Sequence, residues 1–213
     1  MVESIPEGVI ERLPAYLNVL MQLRSDGETT VSSSRLGELT LVNPAQIRRD
    51  LTHFGSFGKR GVGYDIDVLV ERIQHILGAD HVHRLALVGA GNLGAAIAHY
   101  DGLRQHGFLV TAIFDVDLRK VGSRIGDIVV ESLDNLERVL RNQDIRIGVI
   151  AVPPEAAQQV ADRLVGAGVR IIVNYTPMLL RVPVDVTLHN TDPVHELLYT
   201  LYYLSRREGV ARV

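Results

Sequence analysis

The chain has no cysteine among its 213 residues. That excludes disulfides, thiolate metal sites and a thiol redox switch, and it fits a reducing, cytoplasmic setting. No uninterrupted apolar run approaches the roughly 20 residues a membrane span needs, so no membrane partner is expected. The N-terminus lacks a basic segment followed by a long apolar one, so no signal peptide is expected. Internal repeats and low-complexity tracts are missing as well. Nor is there a strong excess of one charge. The formal net charge of −3 makes no global case for nucleic-acid binding, although a local basic patch stays open. There is no nucleophile elbow, no catalytic triad and no cluster with metal-ligand spacing, and the eight histidines are scattered. What is there is 46% hydrophobic residues, enough to bury real cores, and an ordinary 22% of charged ones.

Those residues follow two grammars. From residue 79 onward, strands are expected at 84–88, 109–114, 128–130, 147–152 and 170–174, all near-continuous apolar runs as parallel strands covered on both faces require. Helical patterns at 93–105, 134–142 and 155–167 separate them, and a further strand lies near 184–189. This alternation predicts an α/β fold, a Rossmann-type doubly wound parallel sheet spanning 79–190.

Residues 1–78 read instead as short helices. Ser4 and Glu7 match a capping box, with Pro6 in the permitted first turn. Ile10, Leu13, Leu17, Leu20 and Met21 form one apolar stripe, and Pro14 inside it is expected to kink the helix. A second helix follows Ser32–Ser34 and runs through Leu36 and Leu39. A third opens at Asn43, with Pro44 first and Gln46 reaching back as cap partner. On it Ile47, Leu51 and Phe54 share the inward face, while Arg48, Arg49 and Thr52 point elsewhere. After a glycine-rich stretch, "GSFGKRGVGYDI", a fourth helix over 67–77 ends at Gly78, a suitable C-cap and the expected domain boundary.

The stretch "LVGAGNLG" (87–94) sets Gly89, Gly91 and Gly94 between a strand and a helix. The first glycine allows a tight turn, the second lets backbone approach a pyrophosphate, and the third lets helix and strand pack closely. Asp115 follows 21 residues beyond Gly94, where a carboxylate would hydrogen-bond the ribose hydroxyls of NAD(H) and repel a 2′-phosphate. Arg119 and Lys120 lie close by and weaken that preference. A hydride-transferring enzyme would also need a proton donor or acceptor. Tyr100 has Arg104, not lysine, four residues on, and little chain remains for a substrate domain.

Between residues 35 and 60 stand Arg35, Arg48, Arg49, His53, Lys59 and Arg60, against only Glu38 and Asp50. A basic helix followed by a glycine-rich basic hairpin is the pattern of a winged helix-turn-helix, with the helix in the major groove and the wing on phosphates or in the minor groove. Arg48 and Arg49 could each fork onto guanine or clasp a phosphate. Three readings remain at this point: a dinucleotide-responsive DNA-binding repressor, a dehydrogenase with a helical N-terminal cap, and a protein-binding module using NAD(H) only structurally.

Taken whole, the chain resembles the Rex family of redox-sensing transcriptional repressors. The resemblance rests on "IRRDLTHFGSFGKRGVGYDI" (47–66), "LVGAGNLG" (87–94), "FDVD" (114–117), and "NYTP" with the following "VP" (174–177 and 182–183), in family order. It implies a homodimer on a palindromic operator of double-stranded DNA, released when NADH binds. It also implies a C-terminal helix, here 191–213, exchanged between subunits; that helix opens at Asp192 and Pro193 and carries Val194, Leu197, Leu198, Leu201 and Leu204 as an apolar stripe. Carried over, Arg35, Gln46, Arg48, Arg49, Thr52, His53, Ser56, Lys59 and Arg60 become DNA contacts. Gly89, Ala90, Gly91, Asn92, Leu93, Gly94 and Asp115 become the NAD(H) site, with Tyr100, Val152, Pro153 and Asn174. The implied switch pairs Asp192 of one subunit with Tyr100 of the other. In closer matches to the family pattern an arginine on the first helix alternates with that tyrosine; here the position is Asn18, and Pro193 follows the aspartate. These departures leave open a paralog that no longer answers to NADH.

Overall fold

The computed structural model describes residues 5–55, 58–59 and 62–207. The chain divides into two compact units, 1–81 and 82–213.

The first unit begins with two helices, α1 (Glu7–Ile10) and α2 (Leu13–Ser25). The expected kink at Pro14 is a full break: α1 stops at Ile10 and Pro14 opens a separate helix, where its missing N–H costs nothing. Pro6 occupies the N-cap of α1, which has no side-chain cap bond; Ser4 lies outside the described residues. A short strand β1 (Thr30–Val31) leads to α3 (Ser33–Thr40), capped by the Ser32 hydroxyl, which accepts from the Arg35 N–H at 3.0 Å. Helix α4 (Pro44–Thr52) is capped by Asn43, whose side chain accepts from the Ala45 N–H. Gln46 does not reach back to this cap; its side chain runs the other way, to Asp50 and Arg49. Strands β2 (Gly58–Lys59) and β3 (Gly63–Asp65) form a hairpin, and β3 also pairs with β1, giving a three-stranded antiparallel sheet of order β1-β3-β2. Helix α5 (Ile66–Leu77) ends on Gly78 in the left-handed region. Leu13, Leu20, Leu36, Ile47, Ile66, Leu69 and Ile73 are wholly buried in the core of this unit. A helix–turn–helix (α3, α4) followed by a β-hairpin is a winged helix.

The second unit is a seven-stranded sheet of order β10-β9-β8-β4-β5-β7-β6. Its strands are β4 (His83–Val88), β5 (Phe108–Asp115), β6 (Arg124–Ile125), β7 (Ile128–Ser132), β8 (Ile147–Ile150), β9 (Ile171–Asn174) and β10 (Thr187–Asn190). All pairings are parallel except β6 with β7. From β4 the order runs one way through β5 and the other way through β8, so a topological switch point opens at the carboxyl end of β4. Alternation in β4 separates two cores. Ala86 and Val88 face helices α8 (Leu136–Asn142) and α9 (Pro154–Gly166), while Leu85 and Leu87 face the opposite side. That side is thinly covered. The single helix expected over 93–105 is split into α6 (Asn92–Ala98) and α7 (Asp101–Gln105), with Tyr100 extended between them. Finally α10 (Pro193–Arg207) carries exposed Val194, Leu197, Leu198 and Leu201, so the described part of its apolar stripe is not covered by its own chain; the Leu204 side chain lies outside what is described.

Candidate functional site

Helix α4 buries Ile47 and Leu51 and turns Arg48, Arg49, Thr52 and His53 outward. The Arg48 guanidinium donates to Ser33 Oγ on α3 at 3.0 Å, and the Arg49 guanidinium donates to Gln46 Oε1 at 2.8 Å. Both cations are thereby aimed and keep spare donors for phosphate or base edges. Arg35 is exposed on α3 with Glu38 beside it at 3.7 Å. Lys59 lies on β2, opposite Gly63, and so in the hairpin; Ser56 and Arg60 lie outside the described residues.

On the inner side of α4 stands a group the sequence reading passed over. Asp50 is 1% exposed, yet it is a carboxylate. It accepts from Arg12 Nε and Nη2 at 2.7 and 2.8 Å, from the Tyr16 hydroxyl at 2.7 Å and from Gln46 Nε2 at 2.7 Å. Burial works to raise its pKa, but the bonds from Arg12, Tyr16 and Gln46, with the charge of Arg12, hold it below the ordinary carboxylate value. The same burial, then the contact with Asp50, pushes the Tyr16 hydroxyl up. A chain of bonds therefore runs Arg12–Asp50–Gln46–Arg49, tying α2 to the exposed face of α4.

In the second unit a cleft of about 370 Å3 opens at the carboxyl ends of β4, β5 and β8. Gly89, Gly91, Asp115, Val152 and Pro153 line it as expected, joined by Val116, Asp117, Lys120, Leu133 and Gln159. Gly89 has φ +107°, and a Cβ there would strike the Ala151 carbonyl oxygen; a Cβ on Gly94 would strike the Gly89 carbonyl oxygen. A Cβ on Gly91 would meet nothing within 4 Å, so this glycine leaves open room for a ligand to reach backbone. Such a cradle fits a pyrophosphate, in the place where a dinucleotide-binding sheet of this kind holds one. Asn92, Leu93 and Gly94 belong to α6 and do not line it.

Asp115 is 7% exposed. Its Oδ2 accepts from the Ala90 N–H at 2.8 Å and Lys120 Nζ at 2.9 Å, and its Oδ1 from the Asp117 N–H at 2.9 Å. Burial opposes ionisation, but these donors keep its pKa below the usual value. Asn174 is fully buried: Nδ2 donates to the Thr176 and Met178 carbonyls and to Asn190 Oδ1, while Oδ1 accepts from the Thr176 N–H and hydroxyl. Its amide folds the 174–178 loop onto β10 and has no donor to spare. Tyr100 does not line the glycine cleft. It is 66% exposed beside a separate apolar groove of about 520 Å3, with Leu85, Ile97, Phe108, Val149, Val173 and Tyr175. Asp192 borders a third hollow with Thr176, Asn190 and His195, and its Oδ1 accepts from the Val194 N–H. Asn18 is exposed on α2.

A winged helix joined to a dinucleotide-type α/β sheet defines a class of ligand-responsive DNA-binding protein, and comparison with known proteins narrows it. Residues 80–178 match the family model "CoA binding domain", and residues 4–52 match "Putative DNA-binding protein N-terminus". The chain is 47% identical over 205 residues to the redox-sensing transcriptional repressor Rex of Rubrobacter xylanophilus, covering 96% of this chain and 95% of that one. It is 46% identical over 203 residues to the Rex of Chloroflexus aurantiacus, covering 95% and 96%. Among solved structures it is similar to RSP, a Rex-family repressor. The match to RSP with β-NADH has 36% identity, TM-score 0.85 and 96% coverage of both chains. That to RSP with β-NAD+ and operator DNA has 38% identity, TM-score 0.85 and coverage of 96% and 94%. The chain belongs to the Rex family of redox-sensing transcriptional repressors.

Proposed function

We propose that the chain represses transcription in the cytoplasm by binding a palindromic DNA operator, and that NADH occupying the glycine cleft releases it. What carries this reading is the pairing in one chain of an aimed basic recognition helix with a dinucleotide-type cleft. Arg48 and Arg49 are the base or phosphate readers, and Lys59 and Arg60 the wing contacts. Gly91 admits the pyrophosphate, and Asp115 with the β5 tip holds the adenosine end. The dinucleotide contributes a redox state to be read. For NADH to release DNA it must bind the DNA-incompetent arrangement more tightly than the competent one.

The operator reading needs a two-fold dimer, and the surface supports one. The apolar stripe of α10 and the apolar groove beside Tyr100 are each uncovered within one chain and match in character. Seating α10 in the partner's groove would bury both and bring Asp192 of the partner subunit near Tyr100. Mobility shifts with genomic fragments, alone and with NADH or NAD+, test the reading. One or more fragments should be retarded, freed by NADH and held with NAD+. A protein that retards no fragment under any of these conditions is not a repressor of this kind.

A further inference from the structure

The dinucleotide reading assigns the adenosine ribose to Asp115, and the hydrogen-bond count there does not close. A carboxylate offers about four acceptor positions. Asp115 spends three inside the protein, on Ala90 N–H, Asp117 N–H and Lys120 Nζ. One position, on Oδ1, is left, whereas a ribose diol presents two hydroxyls. Each hydroxyl can donate or accept, so a site with one acceptor needs a donor beside it. Lys120 is that donor. Its ammonium has three N–H groups, of which Asp115 takes one at 2.9 Å. Its side chain is 39% exposed and lines the same cleft. The neighbouring cation is held outside the cleft lining: Arg119 grips Asp117 through Nε and Nη2 at 3.0 and 2.8 Å and does not line the cleft.

Resting on the dinucleotide reading above, we propose that Lys120 is a second ribose-recognising residue. It anchors Asp115 with one N–H and gives another to an adenosine ribose oxygen, so the diol is held by one acceptor and one donor. The competing role for Lys120 is purely structural, as a counter-ion that keeps Asp115 in place. The two roles part when the ligand is changed instead of the protein.

The experiment titrates the full chain and its Lys120→Met and Lys120→Gln variants with NADH, and with NADH analogues lacking the adenosine 2′- or 3′-hydroxyl. Methionine keeps the length of the stem without a donor, and glutamine keeps a neutral one. Lys120→Met should weaken NADH about tenfold, the size of one charge-assisted hydrogen bond. Lys120→Gln should recover part of that loss. On one of the two deoxy analogues the Lys120→Met penalty should fall below about threefold, because the oxygen that lost its donor is gone. An equal penalty on all three ligands, or none on NADH, overturns the ribose role. A parent chain that binds none of them overturns the dinucleotide reading itself.

Discussion

Leu41 closes α3 with φ 58° and ψ 25°, the left-handed conformation, and its side chain is 93% exposed. For a leucine that backbone costs roughly 1–2 kcal/mol, and no buried contact offsets it. Asparagine tolerates the region and avoids the extra unfolded-chain entropy of glycine. Leu41→Asn is therefore expected to stabilise the first unit by about 0.5–1 kcal/mol. Urea unfolding should show a higher midpoint at unchanged slope; a midpoint at or below the parent's would show the strain is not there. The start of α3 was legible in its Ser32 cap, but its stop was not, because leucine favours carrying a helix on. Asn174 shows the same limit. A polar residue at a strand end reads as a ligand contact, and only the fold reveals an amide used up inside a loop.

At the scale of one element, helix α4 is held from behind by an ion pair. Ile47, Asp50, Leu51 and Phe54 share one face by their spacing, so a carboxylate among three apolar residues was a visible signal of a buried partner. The partners themselves were not readable, since Arg12 and Tyr16 lie 38 and 34 residues away. By contrast, the glycine spacing at 89–94 is a local requirement and was read correctly as a strand–turn–helix, although the break at Tyr100 left no mark in the periodicity. Removing Asp50 leaves Arg12 half-sheltered and Tyr16 buried without their acceptor. Asp50→Ala is expected to cost the first unit about 3 kcal/mol, the low end for breaking a buried pair because Arg12 keeps some solvent. The folded pKa of Asp50 lies below its ordinary 3.8, so folding favours the ionised form. Its contribution is whole above that ordinary value and is lost as pH falls from there through the depressed folded value. Asp50→Asn should lower neutral-pH stability and flatten the acid limb of urea midpoints measured from about pH 7 down to about pH 3. An acid limb as steep as the parent's would mean other carboxylates carry it.

For the whole molecule, the order of the units was legible, whereas the apolar groove beside Tyr100 was not, because it exists only once β8 and β9 are assembled. If α10 is the exchanged element, a chain ending before Asp192 should run as a monomer or aggregate; a dimer of the same stability would remove helix exchange as the main interface. The sharper expectation concerns the switch. Tyr100 is exposed at its groove, and Asp192 has acceptor positions left beyond its bond to the Val194 N–H, so both keep the capacity for the contact that the family resemblance implies on the NADH side. The contact on the DNA side falls, by family resemblance, to Asn18, an exposed and neutral amide. An Asn–Asp bond is charge-assisted from one side only, and an Arg–Asp pair from both. A deficit of about 1.4 kcal/mol in the DNA-competent arrangement changes the ratio of the two arrangements tenfold. Pro193 also removes a backbone donor at the start of α10. We therefore propose a latch that is weak on its DNA side and a smaller response to NADH than in family members with an arginine there. Titrating DNA complexes of the parent and of Asn18→Arg with NADH decides the matter. The variant should hold DNA more tightly without ligand, and its affinity should change more between the NADH-free and NADH-saturated states. A parent that already switches sharply, together with a variant indistinguishable from it, would show that residue 18 takes no part in the latch.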